Sequence, residues 1–226
     1  IMIDTWIAEL PHGMRLSCRS AGERGRPVLM FLPGFPDAAF AWDELLAHFA
    51  APEHGGYRCV APNLRGYEQS SRPADVSAYH AKHLAQDIAA LIAAECGPQG
   101  QLVALIAHDW GGAVAWNLAA TRPELMQRLV IINSPHPQTF WRELRQNPAQ
   151  QAASAYMNFL VRPDAEALLA ENDFARLWPF FDLMGASGAG AQQQAAAALS
   201  DNAIGPGDAA QALALPDGAG WMTDAL

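Results

Sequence analysis

The chain has 226 residues, 51% of them hydrophobic and 16% charged, and its 14 Lys+Arg against 23 Asp+Glu leave a formal net charge of −9. Such a composition buries a real core and excludes disorder over most of the length; at about 150 residues per domain it gives one large domain, or one plus part of a second. An acidic balance without a Lys/Arg run excludes nucleic acid as a partner, because affinity for phosphate backbones comes from cationic neutralisation. No apolar stretch reaches the roughly 18 to 20 residues of a bilayer span, and Asp4 and Glu9 interrupt the N-terminus where a signal sequence needs an uncharged run. Cys18, Cys59 and Cys96 stand singly, with neither disulfide-framework nor zinc spacing. The expectation is a cytoplasmic protein with no metal, no cofactor and no membrane partner.

In chain order, residues 5–10 and 14–18 alternate apolar and polar side chains on either side of Pro11-His12-Gly13, which predicts an antiparallel hairpin with one buried face. Residues 28–32, 57–60, 102–106 and 129–132 are short, largely continuous apolar runs, as parallel strands covered on both faces require. Helical spacing lies between them: residues 40–49; residues 80–96, with Leu84, Ile88, Leu91 and Ile92 on one stripe and Gly97 as a stop; and residues 112–121. Strand alternating with helix predicts a doubly wound α/β sheet. Ser134-Pro135-His136-Pro137 breaks that rhythm, and the chain beyond it is Ala-rich and helix-prone, with helical segments around residues 149–160 and 165–183 and a Gly/Ala/Gln-rich tail from Gly185 that reads as loosely ordered. The division expected is a core over 1–135 and a helical module over 136–226.

The most informative stretch is Leu105-Ile106-Ala107-His108-Asp109-Trp110-Gly111-Gly112, where a buried strand turns into a helix with small residues flanking a carboxylate. A nucleophile elbow needs small neighbours because strand and helix approach closely there. Asp can be the attacking group, forming an ester with its substrate, or it can simply cap the helix; capping alone does not call for small residues on both sides.

On these residues the chain resembles the epoxide hydrolase and haloalkane dehalogenase branch of the α/β-hydrolase superfamily. Two further segments carry the likeness: Pro33-Gly34-Phe35-Pro36-Asp37 followed by Trp42 is similar to the family's oxyanion loop, and residues 61–71, Ala-Pro-Asn-Leu-Arg-Gly-Tyr-Glu-Gln-Ser-Ser, to its segment after the following strand. The resemblance implies an α/β-hydrolase fold with an N-terminal antiparallel hairpin and an incomplete helical cap. It implies Asp109 as nucleophile, with the backbone N–H groups of Phe35 and Trp110 as oxyanion donors. The loop departs from the family at Pro33, where the motif begins with His. Gly34 lets the loop backbone come close, and Pro36 allows a cis bond.

Phe35 stands where many dehalogenases carry Asn and has no side-chain donor, whereas residues 156–166, beginning Tyr156-Met157-Asn158, are similar to the first cap tyrosine segment of epoxide hydrolases. The balance favours opening of an epoxide, with Tyr156 as proton donor. Phe35, Trp110 and Trp141 are expected to line the pocket, with Trp42, Phe140, Trp178 and Phe181 as further aromatic candidates. The partner expected is a small apolar electrophile, an epoxide or alkyl halide. A haloalkane or haloacid dehalogenase is the alternative, and a catalytically inactive, ligand-binding member is the alternative of another class. The resemblance implies a late acid and a histidine last in the chain, yet the last histidine is His136. His136 reads as structural, His12, His48, His54, His80 and His83 read as solvated, and the chain reads as ending inside the cap. The strand 129–132 then offers an open edge for self-association.

Overall fold

A computed structural model describes residues 1–178. The first of two compact units holds residues 1–137 and the second begins at Gln138. In the first unit the elements are β1 (Asp4–Glu9), β2 (Arg15–Ala21), β3 (Val28–Leu32), a 3-10 turn (Ala39–Trp42) running into α1 (Asp43–Ala50), β4 (Arg58–Pro62), α2 (Ala81–Cys96), β5 (Ala104–His108), α3 (Asp109–Thr121) and β6 (Leu129–Ile132). The described strands form one sheet in the order β1-β2-β4-β3-β5-β6. β1, β2 and β4 pair antiparallel, while β4, β3, β5 and β6 run parallel. The chain is therefore a doubly wound α/β sheet led by a hairpin, as the apolar runs predict.

Alternation along the strands sorts the core into two layers. Met30, Leu32, Val60, Leu105 and Ala107 pack with the Leu84, Ile88, Leu91 and Ile92 stripe of α2 and with Val114, Ala115 and Leu118 of α3. Leu29, Phe31, Cys59, Ala61 and Ala104 face the other way, against Trp42, Leu46 and Ala50 of the α1 side. Each large aliphatic side chain so buried is worth about 1.5–3 kcal/mol. β6 departs from the expectation of cover on both faces: Leu129 and Ile131 pack on the core, but Val130 and Ile132 are exposed. The burial of Cys18 and Cys59 pushes both thiols up to about 12, which leaves them protonated and inert near neutral pH.

His12 is not solvated. At the turn between β1 and β2 its Nε2 lies 2.7 Å from Asp87 Oδ1, and Asp87, 1% exposed on α2, also receives the Nε and Nη2 of Arg65 at 2.7 and 2.6 Å. A hairpin turn reads as solvent-facing in sequence; the buried carboxylate that draws this ring inward lies 75 residues away.

The second unit is helical: α4 (Pro137–Gln146) spans the boundary and is followed by α5 (Pro148–Ala153), α6 (Tyr156–Leu160) and α7 (Ala165–Phe174). α4 was not expected, because Pro135 and Pro137 read as breakers; Pro137 occupies the first helical position, where a missing N–H costs nothing. The single segment expected over 149–160 is two helices. Asn147 starts α5 by accepting the N–H groups of Ala149 and Gln150, and Ser154 ends it. α7 is interrupted at Asn172 and Asp173, both left-handed at φ of 51° and 56°. The rest of the segment expected to 183, Phe181 and the tail from Gly185 lie outside the described residues. No helix among the described residues is long and apolar enough to cross a membrane.

Candidate active site

Asp109 stands at the junction of β5 and α3 with φ of +50°, left-handed backbone that a non-glycine residue adopts at a cost of about 1–3 kcal/mol. Strand β5 feeds helix α3 with no loop between them, so the sharp reversal falls on this one residue. Glu68 and Asn133, after β4 and β6, are left-handed too, but only at Asp109 does a helix start at the reversal.

Close packing holds the reversal. A side chain at Gly111 would meet the carbonyl oxygen of Pro33 at 2.5 Å, and one at Gly112 would meet Ser134 Cβ at 2.4 Å. Ala107 is fully buried. Gly111 and Gly112 are thus steric necessities.

The loop after β3 faces the carboxylate. Phe35 donates its backbone N–H to Asp109 Oδ1 at 2.9 Å, and Gly34 lies so close that a Cβ there would sit 2.4 Å from Asp109 Cβ and 2.7 Å from Oδ1. The Phe35–Pro36 bond is cis. The carboxylate therefore bonds across to the loop rather than into its own helix, so simple capping does not describe it. Asp109, Phe35 and Trp110 are each half-buried, which leaves a partly desolvated carboxylate within reach of a ligand. Trp110 occupies the first turn of α3, where backbone N–H groups point out of the helix start.

Behind the loop, Asn63 Oδ1 accepts the backbone N–H of Ala39 at 2.8 Å, and Tyr67 packs against the main core. Burial and then the charge of Asp109 push the Tyr67 phenol up to about 12, so it stays protonated beside the carboxylate. Sequence reasoning passed over both residues; the matching segment 61–71 contains them but marks neither as part of a site.

Of the other candidates, Trp42 is buried against Phe31 with 5.4 Å between ring centroids. His108 ends β5, half-buried. His136 packs edge-on against Trp116 at 4.9 Å. Trp141 and Tyr156 belong to the second unit: Trp141 lies under the Arg145 guanidinium at 5.8 Å, and Tyr156 opens α6, half-buried. Among the described residues no cluster of three or more His, Cys, Asp or Glu side chains could hold a metal ion. A groove of about 300 Å³ bounded by Ile7, Ser17, Phe40 and Glu68 lies elsewhere, and Asp109 is not among its walls.

Residues 27–170 match the family model described as alpha/beta hydrolase fold. Epoxide hydrolase 4 of Mus musculus is 36% identical over 170 residues, covering 75% of this chain and 45% of that protein. The AB hydrolase superfamily protein YfhM of Bacillus subtilis (strain 168) is 36% identical over 167 residues, covering 74% of this chain and 56% of that one. The chain thus spans about half the length of these curated relatives. Among solved structures, the Bacillus megaterium epoxide hydrolase in complex with an inhibitor superposes with a TM-score of 0.70 at 28% identity, covering 92% of this chain and 70% of that one.

Proposed function

Since the chain belongs to the α/β-hydrolase fold family, we propose that it carries the nucleophile half of an epoxide hydrolase, with Asp109 forming an alkyl ester with a small apolar epoxide. The observation that carries this reading is the hydrogen bond from the Phe35 N–H to Asp109 Oδ1, which fixes one carboxylate oxygen and leaves the other to attack. Attack forms a bond from that oxygen to an epoxide carbon and breaks the ring C–O bond, whose electron pair stays on the departing oxygen. Tyr156 supplies the proton that oxygen needs. Water then adds to the ester carbonyl, and charge builds on Oδ1, where the N–H groups of Phe35 and Trp110 receive it. Collapse of that intermediate breaks the acyl C–O bond to the alkyl oxygen; one proton of the added water goes to that oxygen, completing the diol, and the other returns to the donor, which restores the carboxylate. One oxyanion donor is typically worth about 2.7–4 kcal/mol of barrier.

Ester hydrolysis gains about 10²–10⁴ from a general base, and among the described residues no histidine bonds Asp109, whose carboxylate is held by the Phe35 N–H. The expected behaviour of this chain is accordingly an ester that forms and persists. Residues from 136 onward are read as part of a helical cap, and the roles given to Tyr156 and Trp141 rest on the family resemblance. Incubation with styrene oxide is expected to add one equivalent of epoxide per chain by intact mass, with no halide released from bromo- or chloroalkanes. Stoichiometric halide release without epoxide capture would overturn the reading in favour of a dehalogenase.

Two further features belong to the same reading. Three free thiols suit a reducing, cytoplasmic setting. β6 is the outer strand among the described residues, with Val130 and Ile132 44% and 37% exposed, and that edge is read as the place where a second copy pairs. Multi-angle scattering is expected to give dimer mass at tens of micromolar; a clean monomer at every concentration would contradict it.

A further inference from the structure

Phe35 is only one end of the loop that faces Asp109, and the other end is tied down by a side chain of a different segment. Asn63, 4% exposed at the end of β4, accepts the Ala39 N–H on Oδ1 at 2.8 Å and donates through Nδ2 to Ser17 Oγ at 2.9 Å. Its own backbone is pinned as well, its N–H to the Ser17 carbonyl at 2.8 Å and its carbonyl by the Ser70 hydroxyl at 2.7 Å. The amide orientation is forced, because the Ala39 N–H can only donate and so must face the oxygen. Between the two anchors the loop is short and internally braced. The Asp37 N–H donates to the Gly34 carbonyl at 3.0 Å, and the Ala38 N–H to the Asp37 carboxylate at 2.8 Å.

We infer that Asn63 is a positioning residue for the nucleophile: by holding Ala39 it fixes the loop whose Phe35 N–H orients the Asp109 carboxylate. The importance given to that orientation rests on the reading of Asp109 as nucleophile. A rigid buried anchor suits the task, since a displacement near 1 Å at a reacting group costs about 10² in rate. An unanchored loop would leave the Phe35 N–H free to drift from Oδ1. The bond to Ala39 is the part of the network that reaches the site, whereas the bond to Ser17 ties Asn63 to β2 and serves the fold.

That difference supplies the test. The exchange of the Phe35 amide proton with solvent is followed by NMR at one fixed pH; because the amide bonds the Asp109 carboxylate, its exchange is slow while the loop is held. Asn63→Ala is expected to release Phe35 to fast exchange. Asn63→Asp, which keeps an acceptor for the Ala39 N–H, is expected to retain the slow exchange. Ser17→Ala removes the part-buried bond to Asn63 without touching Ala39; it should lower the melting temperature yet leave Phe35 protected. Slow exchange at Phe35 that survives in folded Asn63→Ala, or that is lost equally in Ser17→Ala, would overturn the inference. Should Asn63→Ala not fold, loss of protection in Asn63→Asp while Ser17→Ala keeps it would overturn it as well, because the acceptor is then not what holds the loop. Epoxide capture by the unsubstituted chain is measured alongside: its failure with Phe35 protected would sink the nucleophile reading and leave the positioning role standing.

Discussion

Asp87→Ala is expected to destabilise the protein by about 3–5 kcal/mol, the typical cost of removing one partner of a buried ion pair. Asp87 is 1% exposed and Arg65 5%, and the guanidinium meets the carboxylate through two parallel bonds at 2.7 and 2.6 Å. Arg65 keeps a bond to the Ala78 carbonyl at 2.6 Å after the substitution, but a carbonyl does not neutralise a buried cation. The loss spreads through three segments: α2, which carries Asp87; the stretch after β4, which carries Arg65; and the β1–β2 turn, where His12 gives up its 2.7 Å contact. Denaturant unfolding measures the change. Because the penalty comes from an orphaned charge, the double variant Asp87→Ala with Arg65→Met should recover much of it. A single-variant loss below about 1 kcal/mol, the range of exposed pairs, would show that the site is wetter than its burial indicates.

Gly34→Ala is expected to act at the site itself. The added Cβ would lie 2.4 Å from Asp109 Cβ, 2.7 Å from Oδ1 and 2.9 Å from the His108 carbonyl oxygen. Asp109 Cβ and the His108 carbonyl oxygen cannot swing aside, so the loop must move away and take the Phe35 N–H with it. Overpacking of this kind costs about 1–3 kcal/mol of stability, and misplacement of the carboxylate should slow epoxide capture by about 10² or more. Gly25→Ala is the control: nothing lies within 4 Å of a Cβ there, and its φ of +86° makes the cost one of backbone strain, about 1 kcal/mol. Capture at a normal rate by folded Gly34→Ala would mean that the loop and carboxylate are not coupled.

Much of this was legible in the sequence because the relevant signals are local. The apolar runs at 28–32 and 129–132 coincide with β3 and β6, and the stripe of Leu84, Ile88, Leu91 and Ile92 is the buried face of α2. The small residues at 111 and 112 answer to Pro33 and Ser134, far along the chain, yet their grouping around one carboxylate is local, and so the elbow could be read directly. Long-range pairings could not. Asn63 reaches Ala39 and Ser17, 24 and 46 residues away, and the inward turn of His12 depends on a carboxylate in α2. The helix after Pro137 was hidden for a different reason: proline breaks a helix interior but fits its first turn, and the four letters Ser-Pro-His-Pro do not say which applies.

The nucleophile itself is tested most directly by locating the covalent product. After incubation with styrene oxide, tandem mass spectrometry of the peptide that carries position 109 should place one epoxide on Asp109, and Asp109→Ala should carry none. The thiols offer little competition: Cys18 and Cys59 are held near 12, and Cys96, half-buried, near 11. An unmodified Asp109 in folded protein, or an adduct that persists undiminished in Asp109→Ala, would contradict the account.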